Sequence, residues 1–189
     1  FYWLFKQSFI ENYYTIFDIN TVNEILLSYG RVDEYIFLSE LYGNYQDVIE
    51  LFINKKSYLK VLEILVKYCS MKFSESNLIR LSGRDFFYKY SGILMENIPF
   101  ETVNQLILLP LLNPAHLLSS FSKYDYKKSS FGKPGIEGAN QVLRYLKFVV
   151  FNQKNTDVKV HNYLITIYIN ASQPNNENDL LRFLEGLIP

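Results

Sequence analysis

Few side chains in this sequence carry the chemistry of catalysis. The chain of 189 residues has two histidines, His116 and His161, and histidine is the commonest general acid or base in enzymes. Asp157 lies four residues before His161, so on a helix the two side chains could pair, either as part of a site or as an ordinary surface contact. We interpret the pair as a surface contact, because no third group accompanies it.

Metal and cofactor signatures are missing as well. Cys69 is the only cysteine, which excludes an intrachain disulfide and a cysteine zinc site, and we expect it to be a buried apolar residue. The Gly-Lys pair in SSFGKPG lacks the glycine spacing of a phosphate-binding loop, and Pro134 replaces the required hydroxyl residue. The sequence therefore predicts no catalytic residue, no cofactor site, no metal site and no small-molecule substrate.

One segment combines positive charge with aromatic rings. Its lysines are Lys123, Lys127, Lys128 and Lys133, with Tyr124, Tyr126 and Phe131 between them. Such a pattern also occurs in single-stranded nucleic-acid platforms. We favour a solvated loop, because 19 Lys+Arg residues balance 19 Asp+Glu residues and no basic stripe accompanies the cluster. We expect no nucleic-acid partner, and a nucleic-acid module is the least favoured alternative.

The composition predicts a folded chain. Hydrophobic residues make up 49% of the sequence, enough apolar surface to offset the entropy lost on ordering. The longest apolar run, 106–112, is far shorter than the roughly 20 residues of a membrane-spanning helix. A sequence that begins at Phe1 without an initiator methionine is expected to be a slice of a longer protein, here one α-solenoid segment over 1–189.

Start and stop signals divide the chain into short helices. Asn20 reads as an N-cap before an apolar stripe at Val22, Ile25, Leu26 and Tyr29, and Gly30 reads as the C-terminal glycine. Pro99 and the pair Asn113-Pro114 open two later helices, because proline is well suited to a first turn. Two loops are expected, at 123–138 and 171–178, and the last helix would be LLRFLEGL.

Two blocks superimpose at an offset of thirteen residues. Tyr45, Val48, Glu50 and Ser57 recur as Tyr58, Val61, Glu63 and Ser70, with four apolar positions matched between them. Thirteen residues hold one short helix and a turn, which cannot bury its own apolar stripe, so neighbours must stack. We predict an all-α fold, an α-solenoid of stacked short antiparallel helices like the clathrin heavy-chain repeat. A compact bundle with two similar helices is the alternative.

Three further helices follow from apolar periodicity. RDFFYKYSGILMENI is one helix or two short ones, and IEGANQVLRYLKFVVF is a helix. The second of these would place seven apolar residues on one face, namely Ile136, Ala139, Val142, Leu143, Leu146, Val149 and Val150. VKVHNYLITIYI has strand propensity, yet Val160, Leu164, Ile167 and Tyr168 share a helical face, so we predict a helix.

The order of these blocks resembles a known family. The segments GRVDEYIFLSELYGNYQDVIELF, FYKYSGILMENIPFETV, LNPAHLLSSFSKY and HNYLITIY read like the α-solenoid of the class C vacuolar protein sorting subunit eighteen family, over about Asn20 to Glu185. Phe87–Pro99 and His161–Tyr168 are the most specific pieces. Two departures are Gly92, where the family has proline, and Asn113-Pro114-Ala115, where Asp-Pro-Arg is expected.

The resemblance implies a function that is structural rather than enzymatic. It implies a scaffold segment of a HOPS/CORVET-type membrane tether, acting in vesicle tethering and fusion and in sorting to the vacuole or lysosome. Implied partners are the other class C tether subunits. The implied location is cytoplasmic, with indirect attachment to late endosome and vacuole or lysosome membranes. A RING ubiquitin ligase module would lie elsewhere in such a protein, and a coat or nuclear-pore solenoid is the alternative scaffold.

Overall fold

The protein is all-α in the part of the chain that the structure describes. The computed structural model describes residues 2–70, 83–125, 135–136, 139–170 and 181. Within those ranges it has ten α-helices. They are α1 (Tyr2–Tyr13), α2 (Ile19–Ser28), α3 (Val32–Tyr42), α4 (Tyr45–Asn54), α5 (Tyr58–Ser70), α6 (Gly83–Asn97), α7 (Pro99–Leu108), α8 (Pro114–Phe121), α9 (Gln141–Lys147) and α10 (Val158–Asn170). The predicted all-α class is confirmed.

The thirteen-residue repeat extends over four consecutive helices. Helices α2 to α5 begin at Ile19, Val32, Tyr45 and Tyr58, each start thirteen residues after the previous one. The sequence comparison detects the repeat only between α4 and α5, because the earlier copies share few residue identities. The positions of the helices therefore show four copies of the repeat, whereas residue identities show two.

The same turn closes three of these helices. Gly30, Gly43 and Lys56 all have left-handed backbones, with φ of 67°, 71° and 53°. At the first turn the Arg31 N–H donates to the Leu26 carbonyl at 2.8 Å, and the equivalent bonds at the other two turns are 2.7 and 2.9 Å. This six-to-one bond defines the Schellman motif, which satisfies carbonyls that a helix end leaves without partners. The predicted stop at Gly30 is therefore confirmed.

Repeated positions are also buried in the same way. Two series at thirteen-residue spacing are shielded from solvent, one being Tyr35, Val48 and Val61 and the other Ser39, Phe52 and Leu65. The residues in each series sit at the same place in α3, α4 and α5, so these three repeats bury the same face, whereas no residue of α2 is buried. Burial at a fixed position of successive helices is typical of helical repeats.

The start of α2 differs from its prediction. The helix begins at Ile19 with Asp18 as N-cap, so Asn20 lies inside the first turn. The Asp18 carboxylate accepts a hydrogen bond from the Thr21 hydroxyl, and this N-cap lies two residues before the predicted one at Asn20. The apolar stripe predicted on α2 is not buried, because α3 covers only part of it, and Tyr29 is 78% exposed.

The chain divides into two compact units, residues 1–61 and 62–189. In the first unit α3 packs against α1, α2 and α4. The Tyr42 ring meets the Tyr14 ring edge-on at 5.4 Å, and the Tyr42 hydroxyl donates to the carbonyls of Tyr14 and Phe17. Tyr14 is thus a packing residue, whereas Tyr13 is half exposed and contacts Phe9.

In the second unit α6, α7 and α8 each pack against the next helix but one. Helix α6 contacts α7 and α8, α7 contacts α9, and α8 contacts α10. The core between them contains large side chains with less than 2% exposure, including Tyr68, Phe87, Leu94, Met95, Leu106, Leu117, Leu146 and Leu164. The contacts run along the chain order, as expected when each helix stacks on its neighbours.

The later helices bear out most of their predicted faces. Val160, Leu164 and Tyr168 of α10 are buried, so its strand propensity is overridden by packing. The helix predicted from Ile136 is too long, because the Asn140 side chain accepts from the Leu143 N–H at 3.1 Å and starts α9 there. Ile136 is therefore in a turn and is 65% exposed. A π-helical turn, Phe148–Asn152, continues α9.

Three expectations fall mostly outside the described residues. The predicted loop 123–138 is described only at 123–125 and 135–136, and the loop at 171–178 is not described at all. Of the predicted final helix, only Leu181 is described. The division into loops and one segment over 1–189 stays a prediction.

Candidate functional site

His116 lies in a packed contact between two helices. Its ring meets the Tyr88 ring edge-on, with centroids 5.1 Å apart. The Tyr88 hydroxyl accepts a hydrogen bond of 2.7 Å from the Asn113 N–H, at the start of α8. The Asn113 side chain in turn accepts from the Ala115 N–H at 3.0 Å, as the Asn-Pro signal predicts. Together these contacts attach the first turn of α8 to the middle of α6.

A buried hydroxyl pair joins the same two helices. The oxygens of Ser91 on α6 and Ser120 on α8 are 2.6 Å apart, and both residues are buried. Ser91 donates to the Tyr88 carbonyl at 3.1 Å, which leaves Ser120 to donate to Ser91. A hydrogen bond in a dry interior is costly to leave unmade, so the pair fixes the register of α8 on α6.

Arg144 connects α9 to α7. One guanidinium nitrogen donates to the Gln141 side-chain oxygen at 2.9 Å and another donates to the Asn104 side-chain oxygen. The guanidinium carbon lies 5.5 Å from the centre of the Phe100 ring, within the range of a cation–π contact. Gln141 is buried, and its amide nitrogen donates to the carbonyls of Ile136 and Ala139. This network anchors the turn before α9 and holds Arg144 in one orientation.

The Asp157–His161 pair is part of a helix start. The Asp157 carboxylate accepts from the Lys159 N–H at 2.8 Å, which is the geometry of an N-cap on α10. The His161 Nε2–H donates to the Asn155 carbonyl at 2.7 Å. The Asp157 N–H donates to the Asn155 side chain at 2.9 Å. Both predicted residues therefore have structural contacts at the turn that precedes α10.

The other candidate residues give no reactive cluster. Cys69 is buried, and that burial raises the pKa of its thiol, with the nearby Arg84 charge acting in the opposite direction. A raised pKa leaves less thiolate, the reactive form. Lys123 is exposed, and its stem lies beside Gly92 in α6. The remaining lysines of the predicted basic segment, Lys127, Lys128 and Lys133, lie outside the described residues.

Burial also raises the pKa of two tyrosines in the second unit, Tyr145 and Tyr163. Tyr145 is 2% exposed, and burial raises the pKa of its phenol strongly, with a smaller contribution from the negative charge that Tyr88 would carry. Burial raises the pKa of Tyr163 as well. The Phe121 ring meets the Tyr145 ring edge-on at 5.6 Å and packs near Tyr163. A raised pKa keeps both phenols neutral at physiological pH.

The part of the chain that the structure describes has neither a cluster of metal ligands nor a membrane-spanning helix. No group of three or more His, Cys, Asp or Glu side chains is placed to hold a metal ion there. None of the helices described is long and apolar enough to cross a membrane.

The residues that sequence reasoning missed are polar ones between helices. Tyr88, Ser91, Asn104, Gln141 and Arg144 carry the contacts that fix one helix on another. Only Gln141 had a local signal, because it follows the capping residue Asn140 at a helix start. The others lie within helices, where a polar residue among apolar ones does not indicate which residue of another helix it will contact. The arrangement can position helices, and it brings no nucleophile and base together.

Comparison with known families gives a match to most of the chain. The family model for "VPS18, alpha-solenoid domain, second half" matches residues 45–187. That range begins at the first residue of α4 and includes every later helix that the structure describes.

Two curated proteins are similar over nearly the whole chain. The "Vacuolar protein sorting-associated protein 18 homolog" of Danio rerio is 28% identical over 164 residues, which cover 86% of this chain and 14% of that protein. The "Vacuolar sorting protein 18" of Arabidopsis thaliana is 29% identical over 168 residues, which cover 89% of this chain and 15% of that protein. This chain therefore spans about a seventh of the length of the curated relatives it matches.

Proposed function

The chain belongs to the VPS18 family, and from that premise we propose that it is a scaffold segment of a membrane-tethering subunit that acts in vesicle tethering and fusion. The membership confirms the family resemblance found in the sequence, along with the α-solenoid fold. The observation that supports the scaffold role best is the packing of α6, α7 and α8 against the next helix but one in the second unit. Such stacking passes mechanical rigidity from helix to helix without any reactive group.

The mechanism of a scaffold is geometric. Buried polar contacts such as Ser91–Ser120 and Arg144–Asn104 allow one register between neighbouring helices. A stack with a defined register holds whatever is attached to its ends at a set separation. We expect this segment to act as a stiff connector between other modules of the full-length protein.

Partners and location follow from the family in the same proposal. The relatives are named for vacuolar sorting, and the other class C subunits of HOPS and CORVET are the proposed partners. The proposed location is the cytoplasmic face of late endosomes and of the vacuole or lysosome, reached through the complex rather than by direct lipid insertion. No enzymatic activity is proposed for these residues, since the described side chains give no acid, base and nucleophile in one place.

The family match also ranks the alternatives. A vesicle-coat or nuclear-pore solenoid shares the helix pattern, but the matched family is one of vacuolar sorting proteins. The hypothesis of a nucleic-acid module rests on the basic segment. Lys123, the one lysine of that segment that the structure describes, packs its side-chain stem beside Gly92. We therefore keep the tethering scaffold as the proposal.

Co-purification of the full-length protein from its own cells tests the proposal. We expect the other class C subunits to co-purify with it, and a clean isolation without them would contradict the tethering role. A second form, in which residues 83–170 are replaced by a flexible linker of equal length, tests this segment in particular. We expect it to lose at least one subunit. Full retention of every subunit would show that the segment is dispensable for assembly.

A further inference from the structure

An apolar groove with a cationic edge runs along α9 and the π-helical turn that follows it. The groove has a volume of about 480 Å³, within the range of roughly 300–1,000 Å³ that is typical of ligand pockets. Its apolar lining comes from Ile136, Ala139, Leu143 and Phe148, and Arg144 and Lys147 supply the charge. Among the residues described as lining it, none is acidic. The groove belongs to the second unit alone.

Two neutral side chains hold Arg144 in place. The two oxygens that accept from its guanidinium, on Gln141 and Asn104, are neutral amides. A guanidinium has five N–H donors, and these two bonds leave the others for a ligand. The Phe100 ring supports the flat side of the group. The side chain is thus held in one orientation without being neutralised, which lowers the entropy lost when it binds a carboxylate.

The groove also exposes apolar surface that the fold does not cover. Ile136, one of the lining residues, is 65% exposed although its backbone carbonyl accepts a hydrogen bond from Gln141. Phe148 and Asn152, which also line the groove, are the first and last residues of a π-helical turn, a conformation that is rare and occurs often at functional sites. A rigid apolar concavity beside an oriented cation favours a ligand with an apolar anchor and a negative charge next to it.

We propose that this groove binds a short acidic segment of a partner protein, in which Leu, Ile or Phe enters the groove and a neighbouring Asp or Glu pairs with Arg144. A peptide fits better than a lipid headgroup because most of the lining is apolar and the chain has a formal net charge of zero. The inference deepens the scaffold proposal and rests on it for the presence of a protein partner. It names the chemistry of one contact that a tether subunit would make.

Selection of peptides on the immobilised 189-residue chain tests the inference. A library of random twelve-residue peptides is the probe, and binding of selected peptides is measured by fluorescence polarisation. We expect enrichment of sequences with Asp or Glu beside Leu, Ile or Phe. Arg144→Gln should weaken their binding about tenfold or more, as the loss of a charge-assisted hydrogen bond implies. Lys89→Gln, which removes an exposed charge from α6, should leave the affinity unchanged.

A second variant guards against loss of folding in Arg144→Gln. Ala139→Trp fills the groove and leaves Arg144 and its amide partners in place, so it should also abolish binding while the helical circular dichroism is retained. No enrichment, or selected peptides that bind both variants normally, would overturn the inference. Binding of phosphoinositide vesicles that depends on Arg144, with no peptide selected, would overturn it in favour of a lipid site. These measurements use no tether subunit, so their failure would leave the co-purification result intact.

Discussion

Gly83 approaches the backbone of Tyr68 so closely that no side chain fits between them. A Cβ atom at position 83 would lie 2.0 Å from the Tyr68 carbonyl oxygen, well inside van der Waals contact. The contact brings the first residue of α6 against the last turns of α5. Glycine is used here because only the absence of a Cβ permits this approach.

Gly83→Ala should therefore destabilise the protein by about 1–3 kcal/mol or more, since the backbone must move to admit the methyl group. Gly92→Ala is the matched control within the same helix. Its Cβ would lie 3.1 Å from the Lys123 side chain, which is flexible and exposed, so the gain in helix propensity of about 1 kcal/mol should prevail. Urea denaturation of both variants gives the comparison. Equal loss of stability in the two would show that the Gly83 contact is wrong.

Lys56 should be a site where glycine is stabilising. Its φ of 53° is a left-handed conformation that costs an ordinary residue about 1–2 kcal/mol, whereas Gly30 and Gly43 avoid that cost at the same position of the repeat. Lys56→Gly is expected to raise the melting temperature. Lys55→Gly removes the same charge one residue earlier, at φ −79°, and should not raise it. A fall in melting temperature for Lys56→Gly would refute the shared Schellman turn.

The core assignment predicts unequal costs for two leucines. Leu146 of α9 is fully buried, and Leu146→Ala should cost about 2–5 kcal/mol through lost burial and the cavity left behind. Leu108 of α7 is 69% exposed, so Leu108→Ala should change the free energy of unfolding by less than about 0.5 kcal/mol. Guanidinium denaturation measures both values. Similar costs would mean that the helix faces are misassigned.

Tyr145 should make the fold sensitive to alkali. Burial raises its pKa above the ordinary value of 10.0, so the folded state favours the protonated phenol. Its contribution to stability is complete below pH 10 and is lost as the pH rises from there toward the folded pKa. Tyr145→Phe should therefore flatten the fall in melting temperature above pH 10, and the exposed Tyr29→Phe should not. Identical alkaline profiles for the wild type and Tyr145→Phe would contradict this.

Sequence reasoning reaches the helices through local signals. Asn113 and Pro99 are found because capping and first-turn proline act within a few residues, and the structure places both as expected. The repeat is found where identities survive, at Tyr45 and Tyr58. Its earlier copies, which begin at Ile19 and Val32, are not detected by residue identity. The geometry of a repeat depends on turn length and burial more than on residue type.

The groove and the polar contacts could not be predicted in the same way. Arg144 lies between apolar residues of one helix, and its partner Asn104 is forty positions away on another. The residues next to Arg144 or Asn104 in the sequence do not predict this hydrogen bond, because it depends on how α7 and α9 stack. The start of α2 at Ile19 was missed for a related reason, because Asp18 and Asn20 are both good capping residues and only the Thr21 contact decides between them.

Small-angle X-ray scattering of the 189-residue chain tests the central proposal, that this segment acts as a scaffold. A compact domain of this length would have a radius of gyration of about 16 Å. The scaffold proposal predicts a clearly larger radius and a pair-distance distribution with a long tail, both independent of protein concentration. A concentration-independent radius close to the compact value, with a symmetric distribution, would contradict the proposal.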